Sequence, residues 1–323
     1  MFYVPLDALY LDALCELWNR ELGERFPMRP ELLRQNSLED RNVLQAGSWI
    51  AMDAVARRPV GFVVAKCWQE QLDVQLGKGV GWIQVLLVDR NDRGQGIGSE
   101  LLARAERALR QRGVQKIWLG RDPYHYFPGI PVESPEVSAW FAARGYRLLE
   151  PLENDLLCRY SDQDDQKSVP LPQVADGRFR LLAADDKDAF LSFLHRCFPG
   201  RWEYEAIHYF QRGGTGREFV VLERQGEIVG FCRINDAKSP FIAQNVYWAP
   251  LFARELGGIG PLGIDPAHRG SGLGLALVQA GIAMLRQRGI QQIVIDWTAL
   301  VDFYAKLGYS SWKQYAKYSK ELV

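Results

Sequence analysis

The chain is 323 residues long and 47% apolar, enough for two globular cores at the customary ~150 residues each. Lysine plus arginine and aspartate plus glutamate both number 39, so no net field draws in a polyanion, which sets nucleic acid and anionic membrane aside as partners. Five scattered cysteines form no CxxC pair and point to neither a disulfide framework nor a metal site, in keeping with a cytoplasmic protein. No apolar run approaches the ~18 residues of a spanning helix, and the N-terminal stretch carries no readable secretion signal.

In chain order, periodicity predicts a helix over Leu9–Leu22, strands over Trp49–Met52, Val60–Cys67 and Ile83–Val88, a glycine loop, a long helix and a strand over Lys116–Leu119. The same order returns as a helix over Lys187–Cys197, strands over Phe219–Leu222, Ile228–Ile234 and Leu262–Ile264, a glycine loop, a helix over Leu275–Arg288 and a strand over Gln292–Ile295. The repetition is also literal. Leu109-Arg-Gln-Arg-Gly-Val-Gln-Lys-Ile117 returns as Leu285-Arg-Gln-Arg-Gly-Ile-Gln-Gln-Ile293, and the same offset of 176 carries Arg93-Gly-Gln-Gly-Ile-Gly98 onto Arg269-Gly-Ser-Gly-Leu-Gly274. A repeat of this length marks a duplicated fold. Residues 161–176 are polar, acidic and proline-punctuated and read as a linker, giving domains of 1–160 and 177–323. Each is a mixed α/β unit with one central crossover helix.

A glycine loop between a strand and a helix makes an anion site, because backbone N–H groups and the helix dipole point outward together and glycine lets the backbone come close. The alternative, a turn that merely needs glycine, loses weight when the loop occurs twice in the same setting.

These loops resemble the Arg/Gln-x-x-Gly-x-Gly/Ala signature of the GCN5-related (GNAT) acetyltransferases, with Ile264-Asp265-Pro266 echoing the family's preceding V-x-P. The resemblance implies two tandem GNAT folds, each a mixed central sheet flanked by helices and each able to hold acetyl-CoA. In the second half Arg269, Gly270, Ser271, Gly272, Leu273 and Gly274 would take the pyrophosphate, and the backbone of Leu262, Gly263 and Ile264 the pantetheine arm. Arg93, Gly94, Gly96 and Gly98 are the matching residues of the first half, which has Arg90 in place of the proline.

Acetyl transfer to an amine needs a base for the amine and an acid for the departing thiolate. Phe303-Tyr304-Ala-Lys-Leu-Gly-Tyr309 resembles the GNAT stretch that carries the acid, so Tyr304 inherits that role, the alternative being a core aromatic. Phe141 takes its place in the first half and cannot donate a proton, so that half is expected to be silent or to find its acid elsewhere. Asp296, ending a predicted strand, is read equally as the base or as a helix cap; Glu227, Glu255 and Asp265 are not favoured by spacing.

After its late strand the first half is thirteen residues longer and holds Asp122-Pro-Tyr-His-Tyr-Phe-Pro-Gly-Ile-Pro131. Its rings suit a sugar, with His125 a second candidate base, or else they pack as glue between domains. This loop together with Ile295-Asp-Trp-Thr-Ala-Leu-Val-Asp-Phe-Tyr304 resembles bacterial two-domain glucosamine and glucosaminide acetyltransferases. That resemblance implies a small amino-sugar acceptor touched by Tyr124, His125, Tyr126 and Trp297. A cysteinyl sugar of the mycothiol-synthase type, another small amine, a protein lysine, and a non-catalytic acetyl-CoA module stay open as alternatives. The oligomeric state is not legible.

Overall fold

The computed structural model describes residues 1–161 and 170–322. In chain order its strands are β1 (Phe2–Pro5), β2 (Trp49–Met52), β3 (Pro59–Cys67), β4 (Val80–Val88), β5 (Lys116–Leu119), β6 (Ile130–Pro131), β7 (Arg147–Arg159), β8 (Arg178–Leu181), β9 (Phe219–Arg224), β10 (Glu227–Asn235), β11 (Leu256–Ile264), β12 (Gln292–Thr298) and β13 (Ser310–Glu321). The helices are α1 (Leu11–Leu22), α2 (Pro30–Leu33), α3 (Ile97–Gln111), α4 (Pro135–Ala142), α5 (Lys187–Cys197), α6 (Arg201–Gln211), α7 (Leu273–Gln287) and α8 (Val301–Ala305). Among the described residues no helix is long and apolar enough to cross a membrane.

Two compact units follow one plan. In the first, β1 to β4 pair antiparallel in sequence order, and β4 then pairs parallel with β5 from Val80↔Lys116 to Ile83↔Leu119. In the second, β8 to β11 pair antiparallel in order, and β11 pairs parallel with β12 from Leu256↔Gln292 to Ile259↔Ile295. Parallel neighbours need a crossover connection, and the two long amphipathic helices supply it. On α3, Leu101, Leu102, Ala105, Ala108 and Leu109 recur at helical spacing and enter one core with Val60, Val63 and Ile83. On α7, Leu277, Val278, Ile282 and Leu285 do the same against Cys232, Ile234 and Ile259.

Neither unit is a contiguous half of the sequence. The first gathers residues 1–72, 77–153 and those from Gln314; the second gathers 73–76 and 154–313. The edge of β5 is closed by the end of β13, through Ser319↔Trp118, Lys320↔Ile117 and Glu321↔Lys116. The edge of β12 is closed by the end of β7, from Leu156↔Ile295 to Arg159↔Gln292. Each unit therefore takes its closing strand from the other half of the chain, which a cut at a linker does not anticipate. Side chains fix the exchange: Tyr318 and Ala316 enter the first core, Lys320 Nζ lies 2.8 Å from Glu106 Oε2, and Leu156 enters the second core. Of the linker expected over 161–176, residues 162–169 lie outside the described residues, and 170–176 contain no helix or strand.

Truncation after Lys313 thus removes a strand from the first unit although it shortens the second half of the sequence. Loss of the buried Tyr318 and Ala316 alone is worth about 2 kcal/mol or more. Amide exchange should accelerate in β5 and α3 while β9 to β11 keep their protection; faster exchange confined to β9 to β11 would contradict the exchange of strands.

Candidate active site

In the second unit the parallel ladder stops at Ile259↔Ile295. Residues 260–264 of β11 run on toward the glycine loop without pairing to β12, and the register against β10 shifts between Cys232 and Ile234. The sheet is therefore open on one side of Leu262, Gly263 and Ile264, leaving a notch in which an extended ligand can pair with backbone.

The loop that follows is tied down at both ends. Asp265 Oδ1 accepts from the Ala267 N–H at 2.9 Å, its Oδ2 accepts from Arg196 at 2.6 Å, and Arg269 Nε donates to the Ile264 carbonyl at 3.0 Å. Gly270 and Gly272 take φ of +89° and +75°, and a Cβ built on either would meet nothing within 4 Å. Left-handed backbone bordering open space at the start of the fifteen-residue α7 is a cradle that side chains would fill and an anion can occupy. Ser271 lies between these glycines, Leu273 turns into the core, and Gly274 faces Phe303 at 3.9 Å. The first unit repeats the design: Arg93 Nε donates to the Val88 carbonyl at 3.1 Å, Gly94 and Gly96 have φ of +78° and +84° with open space beside them, and Gly98 faces Trp140 at 3.5 Å. There a cleft of about 900 Å³ runs along β4 and the loop to Phe141. Both cradles offer the open, left-handed backbone that an anion can approach.

Asp296 follows Ile295, the last residue of β12 paired with β11, at the mouth of the notch. Its Oδ1 accepts from Asn245 Nδ2 at 3.0 Å. The residue is partly exposed, yet its carboxyl lies against protein, and this desolvation raises its pKa to about 6; Arg201 and the Asn245 bond pull the other way, and Glu205 adds to the rise. The helix-cap alternative is not realised, since α8 starts from Leu300. Tyr304 lies on α8, 5% exposed, with its hydroxyl pushed well above its ordinary pKa by burial first and then by Cys232 and Asp296. It stays protonated throughout the physiological range. Trp297 adopts φ +47°, its N–H donates to Asp155 Oδ1 at 3.1 Å, and the Arg201 guanidinium covers its ring at 4.0 Å. Arg201 is in turn held by Glu205 at 2.5 Å.

The first unit has none of this at the corresponding place. Ile83↔Leu119 there matches Ile259↔Ile295, so the residue in the position of Asp296 is Gly120. A Cβ on Gly120 would strike the Phe127 carbonyl oxygen at 2.0 Å: the aromatic loop folds over the place where a base would stand. Tyr124, His125 and Tyr126 are only 2–3% exposed. Tyr126 packs edge-on against Trp18 with ring centroids 5.0 Å apart and its hydroxyl lies 2.7 Å from Ser37 Oγ, while His125 Nδ1 lies 2.8 Å from the Asp122 carbonyl. These rings are spent on the interior of the first unit and present no open face for a sugar, in contrast to the sequence expectation. Alongside them Lys66 Nζ, fully buried, lies 2.7 Å from Asp40 and 2.6 Å from Asp122, and Gln84 donates to the Tyr124 carbonyl at 2.9 Å.

Sequence reading did not find Asn245, Arg201, Glu205 or Arg233. They sit in no motif, although Arg233 inside the apolar strand Glu227–Asn235 is a signal of a buried polar cluster: it is 1% exposed and lies 3.5 Å from Glu205.

The family model of the acetyltransferase (GNAT) family matches residues 11–126 and again 187–309. A mycothiol acetyltransferase of Thermobispora bispora is 28% identical over 253 residues, 70% of this chain and 72% of its own. The structure of a GCN5-related glucosamine N-acetyltransferase region in a fungal multi-domain GH3 β-N-acetylglucosaminidase superposes with a TM-score of 0.84 at 23% identity. It covers 98% of this chain, which spans only 38% of that one. A tandem GNAT protein from the clavulanic acid biosynthesis pathway superposes at 0.68 with 16% identity, covering 99% of this chain and 98% of its own. At these identities the structural likenesses speak to fold. The two matched segments each hold a strand pair that parts and the glycine loop between its strands, so the chain belongs to the GNAT family twice over, as a tandem N-acetyltransferase that uses acetyl-CoA.

Proposed function

We propose that the second unit acetylates the primary amine of a small molecule, an amino sugar of the glucosamine or glucosaminide kind, in the cytoplasm. The observation that carries this reading is Asp296 next to the point where β11 and β12 part, its Oδ1 held by Asn245 and its pKa raised to about 6 by burial, with Tyr304 near enough to be raised in turn by its charge. When bound, acetyl-CoA supplies an activated acetyl thioester. The backbone of Leu262 to Ile264 and the loop from Arg269 to Gly274 would hold and orient it. Asp296 would take the proton of the incoming ammonium, and the Tyr304 hydroxyl would be the proton donor on the thiol side of the bound thioester. Trp297, fixed from below by Arg201, offers an aromatic surface of the kind that sugar rings use.

The first unit, with Gly120 and Phe141 in the two catalytic places, has a cofactor cradle and no chemistry of its own. The fungal region that shares the fold is named a glucosamine N-acetyltransferase, and the amino-sugar acceptor is read here by analogy with it. The mycothiol acetyltransferase relatives support a second reading, a substrate of the kind those enzymes acetylate.

Turnover should fall as pH drops through about 6, because Asp296 accepts a proton only when ionised and its ionised form dominates above that value. Tyr304→Phe and Asp296→Asn should each lose ~10²–10⁴-fold in kcat with little change in the KM for acetyl-CoA, and Asp296→Asn should lose the acid limb as well. Full activity in either variant returns that residue to a structural role. An acceptor screen by thiol release, with glucosamine, chitosan fragments, spermidine and lysine peptides, should favour the sugars; a preference for polyamine or peptide would remove the amino-sugar assignment.

A further inference from the structure

Asn245 stands where the parted strands come closest, and its surroundings leave its side chain a single arrangement. Nδ2 donates to Asp296 Oδ1 at 3.0 Å on β12 and to the Gly260 carbonyl at 3.3 Å on β11. Both partners are pure acceptors when Asp296 is ionised, so the amide cannot be turned over. Its Oδ1 accepts from Asn235 Nδ2 at 3.1 Å on β10, which fixes the same orientation from the other end. Space enforces it too. A Cβ on Gly258 would lie 2.0 Å from Asn245 Oδ1, and one on Gly260 would lie 3.2 Å from Asp296 Oδ1; two bare glycines let the amide sit against β11. Asn245 is 3% exposed and Asn235 is fully buried, so these bonds form away from competing water, where leaving a partner unsatisfied is costly.

We infer that Asn245 is the positioning residue of this active site, an amide bracket held by Asn235 that aims the Asp296 carboxylate into the notch and keeps it ionised. The inference rests on Asp296 being the base. The Asn245 bond holds Oδ1 in place, and Oδ2 is the oxygen read here as meeting the amine. The same Nδ2 ties β12 to the Gly260 carbonyl, so the position of the base is referred to the strand that would carry the cofactor arm.

The charged and titratable groups that face Asp296 are Arg201 and Glu205 from α6 and Tyr304 from α8. Arg201 is paired with Glu205, and Glu205 is also 3.5 Å from Arg233 of β10. Arg201, although paired with Glu205, still favours the ionised carboxyl as a charge, and the Asn245 donor is a neutral contact that favours it too, beside the backbone of Asp296 itself. Removing the Asn245 donor raises the pKa of Asp296, and replacing it by a carboxylate raises it further through like-charge repulsion.

The test reads the carboxyl directly. In protein labelled with carbon-13 at aspartate Cγ, the resonance missing from Asp296→Asn is that of Asp296. Its midpoint, about 6 in the parent protein, should move up by about half a unit or more in Asn245→Ala and by at least about one unit in Asn245→Asp, with the acid limb of thiol release moving in step. Asn245→Asp is nearly isosteric and carries the test if the alanine variant does not fold. A midpoint unchanged in the folded variant overturns the inference, because a residue that only fills space would leave it in place. Should Asp296→Asn keep full turnover while the midpoint still moves, it is the reading of Asp296 as base that fails, and the bracket is then structural.

Discussion

Beyond Ile259 and Ile295 the parallel strands β11 and β12 stop sharing hydrogen bonds, and the glycine loop, Asp296 and Asn245 are arranged around that parting. Backbone groups in a sheet are otherwise consumed by their neighbours. The opening leaves them for an extended ligand arm on one side and admits a carboxylate from the end of β12 on the other. A shift of register against β10 lets β11 bend away, and the glycine loop with α7 follows at once, so thioester arm and pyrophosphate cradle share one continuous stretch of chain. Asn245 bridges the gap where the strands separate.

Duplication supplied this geometry twice, and the two copies differ in the residues around it. Both keep the arginine that ties the loop to the end of its strand, Arg93 to Val88 and Arg269 to Ile264. Only the second keeps a carboxylate and a hydroxyl at the opening. In the first, the thirteen additional residues bring Phe127 over Gly120 and bury Tyr124, His125 and Tyr126, and Lys66 sits between Asp40 and Asp122 with no exposure. A buried charged triad is stable only when its members are paired, so Lys66, Asp40 and Asp122 belong to the interior, while Gly120 and Phe127 line the cleft beside it.

Much of this was legible in the sequence. The repeat, the glycine loops and the strands around them carry local signals: Trp49–Met52, Lys116–Leu119 and Lys187–Cys197 fall on their expected bounds. The strand expected over Leu262–Ile264 extends back to Leu256, concealed because Gly257, Gly258 and Gly260 depress strand propensity; Gly258 and Gly260 make room for Asn245 and Asp296, and Gly257 for Ile290 and Leu285. The exchange of closing strands left no trace, since an amphipathic strand does not state whose edge it will close. The aromatic loop shows the same limit: its composition suits a sugar as well as a core, and only the position of Trp18 and Phe127 distinguishes them. Asn245 was invisible for a simpler reason, as a lone asparagine gains meaning from three strands that are distant in sequence.

The central claim is that one unit does the chemistry while the other holds only the scaffold of a cofactor site. Valine at a left-handed glycine costs about 1–2 kcal/mol and places a branched side chain in the cradle. Thiol release from acetyl-CoA, compared between Gly96→Val and Gly272→Val, therefore tests the claim most directly. The account predicts near-parental turnover for Gly96→Val and a collapse of turnover for Gly272→Val in folded protein. Turnover abolished by Gly96→Val and preserved in Gly272→Val would contradict it.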